Sequence, residues 1–378
     1  MGKRKRSEIL KLKKCSKSET NISSLPDNVF FQIFEFLTHN ELLNCRAVSK
    51  SWKEKSDYTL RVTNKELVIV NENTQHDIGI IIDTENCVAQ FNTIFHLFPN
   101  ITNIAIYSTS FPVAVLFYAF RNKFQYVTTI EIDSDDFDFK IGGIIAECFP
   151  NIKSLSLSNV EIADNEVITL LRKLQLEELR LVLADTTGSF IPAIPNTLKL
   201  LHVSYCAITW SQQLLIGPKL CLEKLEVEEG TIGKDFFEFL DNVFPEITSL
   251  NISCSVLEDL HCFVHNKILD FELLAGEIRS QYFFKPLCSV KSFDVDIHRL
   301  SENDLAFLLQ MFPNIESLIF VGSSKYFTFT PRLINSFKSL KFLKKWSISD
   351  TRMYTEKYII YNFGSENILI PAMLAMTQ

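Results

Sequence analysis

At 378 residues, with 47% apolar and 22% charged residues, the chain is too long for one ordinary core and suits two domains or an elongated repeat array. Its net charge of −7 is unevenly spread: residues 1–18 carry eight Lys or Arg and one Glu, which leaves an acidic body unsuited to binding nucleic acid through phosphates. Nine scattered cysteines without a CxxC pair, an N-terminus lacking an apolar h-region and an apolar stretch of only ten residues (Phe111–Phe120) predict a soluble intracellular protein with reduced thiols, cytoplasmic and/or nuclear.

Residues 1–22 lack apolar periodicity and read as a disordered basic tail. Within it, Lys3-Arg4-Lys5-Arg6 followed by Lys11, Lys13 and Lys14 suits either a nuclear import signal or a solvated, solubilising segment. Residues 24–56 predict three short helices. Ser24 and Asp27 have capping-box spacing with Pro26 in the first turn, and Val29, Phe30, Ile33, Phe34 and Leu37 then recur along one stripe. Thr38 and Glu41 make a second capping box before Leu42 and Leu43, and Val48 and Trp52 share a face of a third helix. So short a segment cannot bury its large apolar side chains alone, which implies a partner surface.

From about residue 60 the pattern changes. Apolar runs at Leu67–Val70 and Ile78–Ile82 suggest strands that cap an array. The words Phe98-Pro99-Asn100-Ile101, Phe149-Pro150-Asn151-Ile152, Phe244-Pro245-Glu246-Ile247 and Phe312-Pro313-Asn314-Ile315 are almost one string written four times. Each Ile opens the spacing apolar-x-x-apolar-x-apolar. That spacing recurs at Ile101, Val127, Ile152, Leu176, Leu198, Leu222, Ile247, Ile268, Val290, Ile315 and Leu343, at intervals of 21 to 28 residues. The alternating part predicts a short strand, and stretches such as Asp235–Leu240 and Asp304–Leu309 before it predict helices that proline ends. One strand and one helix in about 24 residues is the unit of a leucine-rich-type solenoid.

The N-terminal string Ser24-Leu25-Pro26-Asp27, Ile33, Phe36-Leu37, Glu41-Leu42, Cys45-Arg46, Val48-Ser49 and Trp52 resembles the F-box, the helical motif that binds the Skp-type adaptor of cullin-RING ubiquitin ligases. The resemblance implies that Leu25, Pro26, Ile33, Leu37, Leu42, Val48 and Trp52 form or support an adaptor-binding face. It also implies a substrate-recognition subunit, with a non-degradative interaction scaffold as the alternative. The expected fold is α/β: a basic tail (1–22), a three-helix F-box (23–60), a linker and cap (61–96), a curved leucine-rich-like solenoid with a parallel sheet (97–350) and a C-terminal cap (351–378). Only Cys206 fills the position after the strand where such repeats usually carry Asn or Cys.

Candidate chemistry is sparse. His261, Cys262 and His265 have ligand spacing but lack the second pair that structural zinc requires, so they read as a repeat segment. Asp133, Asp135, Asp136 and Asp138 hint at calcium, yet Asp138 replaces the EF-hand glycine and Ile144 the closing Glu. Phosphate-binding and nucleophile motifs are missing, which predicts a non-catalytic protein without cofactor or metal. The residues between strand anchors give a stronger signal. Glu131, Asp133, Glu178, Glu226, Glu228, Asp270, Glu272, Asp294 and Asp296 outnumber Arg180, Lys224 and Lys345 on the expected inner surface. Of these, Glu178, Glu226, Glu228, Asp270, Glu272, Asp294 and Asp296 are the predicted target-binding set, suited to a basic protein segment or else an ordinary solvated face.

Overall fold

A computed structural model describes residues 25–37, 39–63, 66–70, 80–81, 87–97, 99–107, 113–134, 141–210, 219–279, 285–296, 300–321, 330–349 and 361–362. The expected basic tail, both capping-box initiators Ser24 and Thr38, Asp135–Asp138 and most of the C-terminal cap lie outside these residues. The chain divides into two compact units, Met1–Lys65 with Phe91–Asn100, and Glu66–Gln90 with Ile101–Gln378.

In the first unit, α1 (Asp27–Phe34), α2 (His39–Cys45) and α3 (Lys50–Thr63) occur where the sequence places three helices. Pro26 precedes α1 as its N-cap instead of occupying the first turn, with φ −55° and ψ 145°, and no side chain caps the helix. Its extended backbone hands the chain to Asp27, whose carboxylate favours the positive end of the helix dipole. Phe30 and Phe34, four apart on one stripe, are buried with Leu42 and Leu60. Trp52 meets Phe30 and Phe34 edge-on at 5.2 and 5.6 Å. Lys55 Nζ lies 4.3 Å from the Phe30 ring centre and 2.6 Å from Asp27, so one cation ties α3 to the start of α1.

The second unit is one sheet of 14 strands in the order β14-β13-β12-β11-β10-β9-β8-β7-β6-β5-β4-β3-β1-β2. Its strands are β1 (Glu66–Val70), β2 (Ile80–Ile81), β3 (Asn103–Tyr107), β4 (Thr129–Asp133), β5 (Ser154–Ser158), β6 (Glu178–Val182), β7 (Leu200–Ser204), β8 (Lys224–Ile232), β9 (Ser249–Glu258), β10 (Asp270–Arg279), β11 (Ser292–Asp296), β12 (Ser317–Val321), β13 (Lys345–Ser349) and β14 (Tyr361–Asn362). Every neighbouring pair is parallel except β13 with β14. The second apolar anchors from Ile104 to Trp346 pair in one continuous register, as a repeat with a fixed direction of entry demands. β1 and β2 add to the sheet beside β3, within the segment expected to cap it.

Most of the longer intervals connect their strands through a helix. α4 (Cys87–Leu97) precedes β3 in the chain, and among the described residues six of the seven intervals of 24 to 28 residues hold α5 (Val113–Phe120), α6 (Ile141–Cys148), α7 (Asp164–Lys173), α8 (Lys234–Val243), α9 (Glu302–Met311) and α10 (Pro331–Lys338). The intervals of 22 and 21 after Leu176 and Ile247 hold a single 3₁₀ turn instead, at Ile191–Ala193 and Leu260–Cys262. A few residues fewer leave no room for a two-turn helix. The repeated Phe-Pro-Asn word has a bonding reason: Asn151 Nδ2 donates to Gln125 O at 2.8 Å and Asn314 Nδ2 to Cys288 O at 2.9 Å, one repeat upstream in each case.

A backbone spine runs through the array. At each step from β3 to β13 the carbonyl just before one strand accepts two successive N–H groups from the next repeat, as Thr102 O does from Thr128 and Thr129 at 2.8 and 3.1 Å. Beneath the sheet the abundant phenylalanines continue from repeat to repeat: Phe263–Phe271, Phe271–Phe293 and Phe293–Phe312 have ring centres 5.6, 5.7 and 4.9 Å apart. Cys206 is buried with Sγ near Leu181 O and Ser204 O, the place a polar ladder residue holds in such repeats.

Candidate protein-interaction surfaces

In the first unit the helices leave an apolar recess of about 230 Å³, lined by Phe30, Ile33, Phe34, Leu37, Cys45 and Trp52. Ile33 is 39% exposed and Val48 62%, Pro26 is exposed, and Leu25, Leu37 and Trp52 are partly so. Leu42 differs from the others in being buried among the unit's own side chains, where it can only support the surface. Among the described residues Phe36, at 89% exposure, is the most exposed large apolar side chain, and the F-box resemblance includes it without assigning it to the adaptor-binding face. Its signal was a Phe beside Leu37 just after α1 ends.

On the sheet, alternate strand residues are buried and their neighbours face solvent, as the period of two requires. Six solvent-side residues share one rung from β6 to β11: Arg180, His202, Glu226, Asn251, Glu272 and Asp294. Glu226 is nearly enclosed by basic side chains. Arg180 Nη1 donates to its Oε2 at 2.6 Å, His202 Nδ1 lies 2.9 Å from the same oxygen, and Lys224 Nζ is 2.7 Å from Oε1. The His202 hydrogen bond, with Lys224 and Arg180, outweighs burial and holds this carboxyl well below the usual range.

Glu228 is also committed, accepting from Ser204 Oγ and Tyr205 Oη, both at 2.8 Å. Of the two residues expected to extend a negative patch, Glu226 is paired with basic side chains within the sheet, whereas Glu228 meets only neutral hydroxyl donors and keeps its charge. Glu178, exposed at the start of β6, accepts from Ser154 Oγ at 3.1 Å. Asp296 ends β11 one strand-turn beyond Asp294.

Across β9–β11 the balance reverses. Asp270, Glu272 and Asp294 line a recess of about 90 Å³ with Lys224, Ser249, Asn251 and Ser292 among its other walls. Glu272 accepts one hydrogen bond from Asn251 Nδ2 at 2.7 Å, and burial raises its pKa. Glu272 and Asp294 face each other directly on adjacent strands. Asp294 Oδ1 is buried and without a hydrogen-bond partner among the described residues. Burial, with Glu272 and Asp270 beside it, pushes the Asp294 carboxyl up to about 6.

At the C-terminal ends of β5, β6 and β7, Asn159, Leu183 and Tyr205 adopt left-handed backbone, with φ of 55°, 51° and 50°. Asn takes this conformation readily, whereas Leu and Tyr do not. Leu183 and Tyr205 are nevertheless 51% and 59% exposed, following adjacent strands, a pair with no distinguishing mark in the amino-acid order.

His265 is a buried core histidine with Nε2 3.1 Å from Phe244 O, and burial lowers its pKa. Asp133 accepts from Asn159 Nδ2 at 2.6 Å. Among the described residues no group of three or more His, Cys, Asp or Glu is placed to hold a metal. No helix among them is long and apolar enough to cross a membrane.

The F-box-like family matches residues 22–60 of this chain. No match to the chain is found among curated proteins. Solved structures similar to it include the leucine-rich repeat-containing protein LegL7 from Legionella pneumophila, at 15% identity and TM-score 0.42, covering 73% of this chain and 97% of that one. An internalin (inlF) from Listeria monocytogenes matches at 14% identity and TM-score 0.34, covering 82% and 94%. The APL1 leucine-rich repeat domain matches at 13% identity and TM-score 0.32, covering 74% and 85%. The chain thus carries an F-box-like segment at residues 22–60 ahead of a repeat-built sheet whose strands, β14 excepted, run parallel.

Proposed function

We propose that this protein is the substrate-recognition subunit of an SCF-type ubiquitin ligase. Its F-box-like segment docks on a Skp-type adaptor, which links it to a cullin complex, and the solvent face of its sheet holds a protein target. The subunit is non-catalytic: it sets the distance between target and the transfer machinery, and other subunits carry the chemistry. One observation carries the reading. The F-box-like match coincides with the unit whose apolar recess and exposed Ile33, Phe36 and Val48 call for an apolar partner.

The test is capture of the adaptor and cullin by the full chain. Truncating central anchors of such an interface costs about 2–4 kcal/mol, so Leu25→Ala with Pro26→Ala should reduce capture strongly. Val48→Asp, at an exposed position, should do the same without touching the core of the unit. Undiminished capture by both variants would remove the F-box assignment. A bound target whose level stays constant when this protein is depleted would favour a scaffold over a degradative role.

A further inference from the structure

The sheet face has a polarity that the F-box reading leaves unused. At its centre Arg180, His202 and Lys224 all converge on the one carboxylate of Glu226, which holds them in place. To one side lie the exposed Leu183 and Tyr205, the latter fixed by its hydroxyl on Glu228. To the other lies the recess of Asp270, Glu272 and Asp294, with a buried carboxylate oxygen that nothing among the described residues satisfies. Like charges directly opposite on neighbouring strands destabilise a sheet, and a buried polar atom without a partner adds to that. Lys224, a base on its walls, is tied to Glu226, so three carboxylates outweigh it and an entering ammonium or guanidinium group would ease their repulsion.

Resting on the proposed function, we infer that strands β6–β11 dock an extended target segment with a Lys or Arg seated at Asp270, Glu272 and Asp294 and a large apolar side chain on Leu183 and Tyr205. Geometry sets the spacing. From the β6/β7 pair to the β10/β11 pair is four strand separations, roughly 20 Å with the offset along the strands, which an extended chain covers in about six residues. Polarity sets what is refused. An acidic or phosphorylated segment meets carboxylates at one end and, in the middle, cations already held by Glu226.

The experiment uses the full chain and fluorescein-labelled peptides read by anisotropy. The probe carries a Leu-Phe pair, a Gly/Ser spacer of about six residues and a Lys pair. Replacing either the Lys pair by Gln or the Leu-Phe pair by Ser should weaken binding about tenfold, as should a two-residue spacer. On the protein, Asp270→Asn, Glu272→Gln and Asp294→Asn together should abolish the preference for Lys over Gln and flatten the salt dependence. These changes remove repulsion, so the fold is retained. Leu183→Asn with Tyr205→Asn should abolish the preference for Leu-Phe, and Asn suits the left-handed backbone.

The proposal is overturned if the Lys pair alone binds as tightly as the bipartite peptide, if phosphorylated peptides bind better, or if no probe binds. It is overturned equally if neither set of substitutions changes the preferences. None of these residues lies in the F-box-like segment, so adaptor capture is read separately on the same variants. Its loss would count against the proposed function, and its persistence alongside failed peptide binding would count against this inference alone.

Discussion

The two halves of one sheet face treat their carboxylates in opposite ways. On β6–β8, Glu226 sits among three basic side chains and its charge is fully used within the molecule. On β9–β11, Glu272 has one amide donor, and Asp294 retains a buried oxygen with no partner among the described residues. The backbone, the register and the rung are the same. The difference lies in what each carboxylate meets one strand away: His202 beside Glu226, Glu272 beside Asp294. An acid on a repeat strand is thus structural or available according to its neighbours in space, which are about 24 residues distant in sequence.

Removing the centre of the closed half should have the largest effect. Glu226→Ala leaves Arg180, His202 and Lys224 without their shared acceptor, and with the two longer side chains over a third exposed it should destabilise the second unit by about 2 kcal/mol in urea unfolding. An effect near zero would break the contrast.

The pH dependence should come next. Asp294 rises from 3.8 to about 6, Asp241 from 3.8 to about 6 and Glu229 from 4.5 to about 7, all chiefly through burial. These folded-state values exceed the unfolded ones, so the native state holds the protons more tightly. The stability they contribute is complete below about pH 4, and it declines as pH rises through 6 to 7. Glu226 and His265 act in the opposite sense, Glu226 losing its contribution as pH falls below 4.5 and the buried His265 as pH falls below 6.5, against three carboxyls that move the other way. The melting temperature should therefore be several degrees higher at mildly acidic pH than at mildly alkaline pH. A flat profile would refute the account of the open half.

Asp294→Asn should stabilise the chain by about 1 kcal/mol at neutral pH, since it removes a like-charge pair and supplies a donor to Glu272. The smallest effect belongs to Tyr205→Phe, which deletes an exposed hydrogen bond to Glu228 and should cost about 0.5 kcal/mol. Both are readable from shifts in the urea midpoint.

Periodicity made the architecture legible. Every strand from β3 to β13 contains its predicted anchor, because burial on one face of a stacked strand imposes a pattern of two that composition cannot disguise. Helices were expected only in several copies, such as Asp235–Leu240 and Asp304–Leu309, and the ends of α8 and α9 were legible from the proline that follows. The start of α1 was not, since Pro26 fits both inside a first turn and immediately before one. At the candidate sites, membership of the solvent face was legible and electrostatic state was not. Counting acids put Glu226 in a patch that its rung neighbours Arg180 and His202 remove it from. Leu183 and Tyr205 escaped notice because a left-handed φ at a bulky residue leaves no trace in its identity.

The doubled backbone acceptor before each strand has a consequence for how such a chain can change over time. Because it joins consecutive repeats through main-chain carbonyls and N–H groups, it makes no demand on which side chains project to solvent. A lineage can therefore rewrite the exposed rungs, or gain and lose whole repeats, while the joint between neighbours stays chemically identical. Recognition becomes the editable layer of the molecule, and stacking the invariant one.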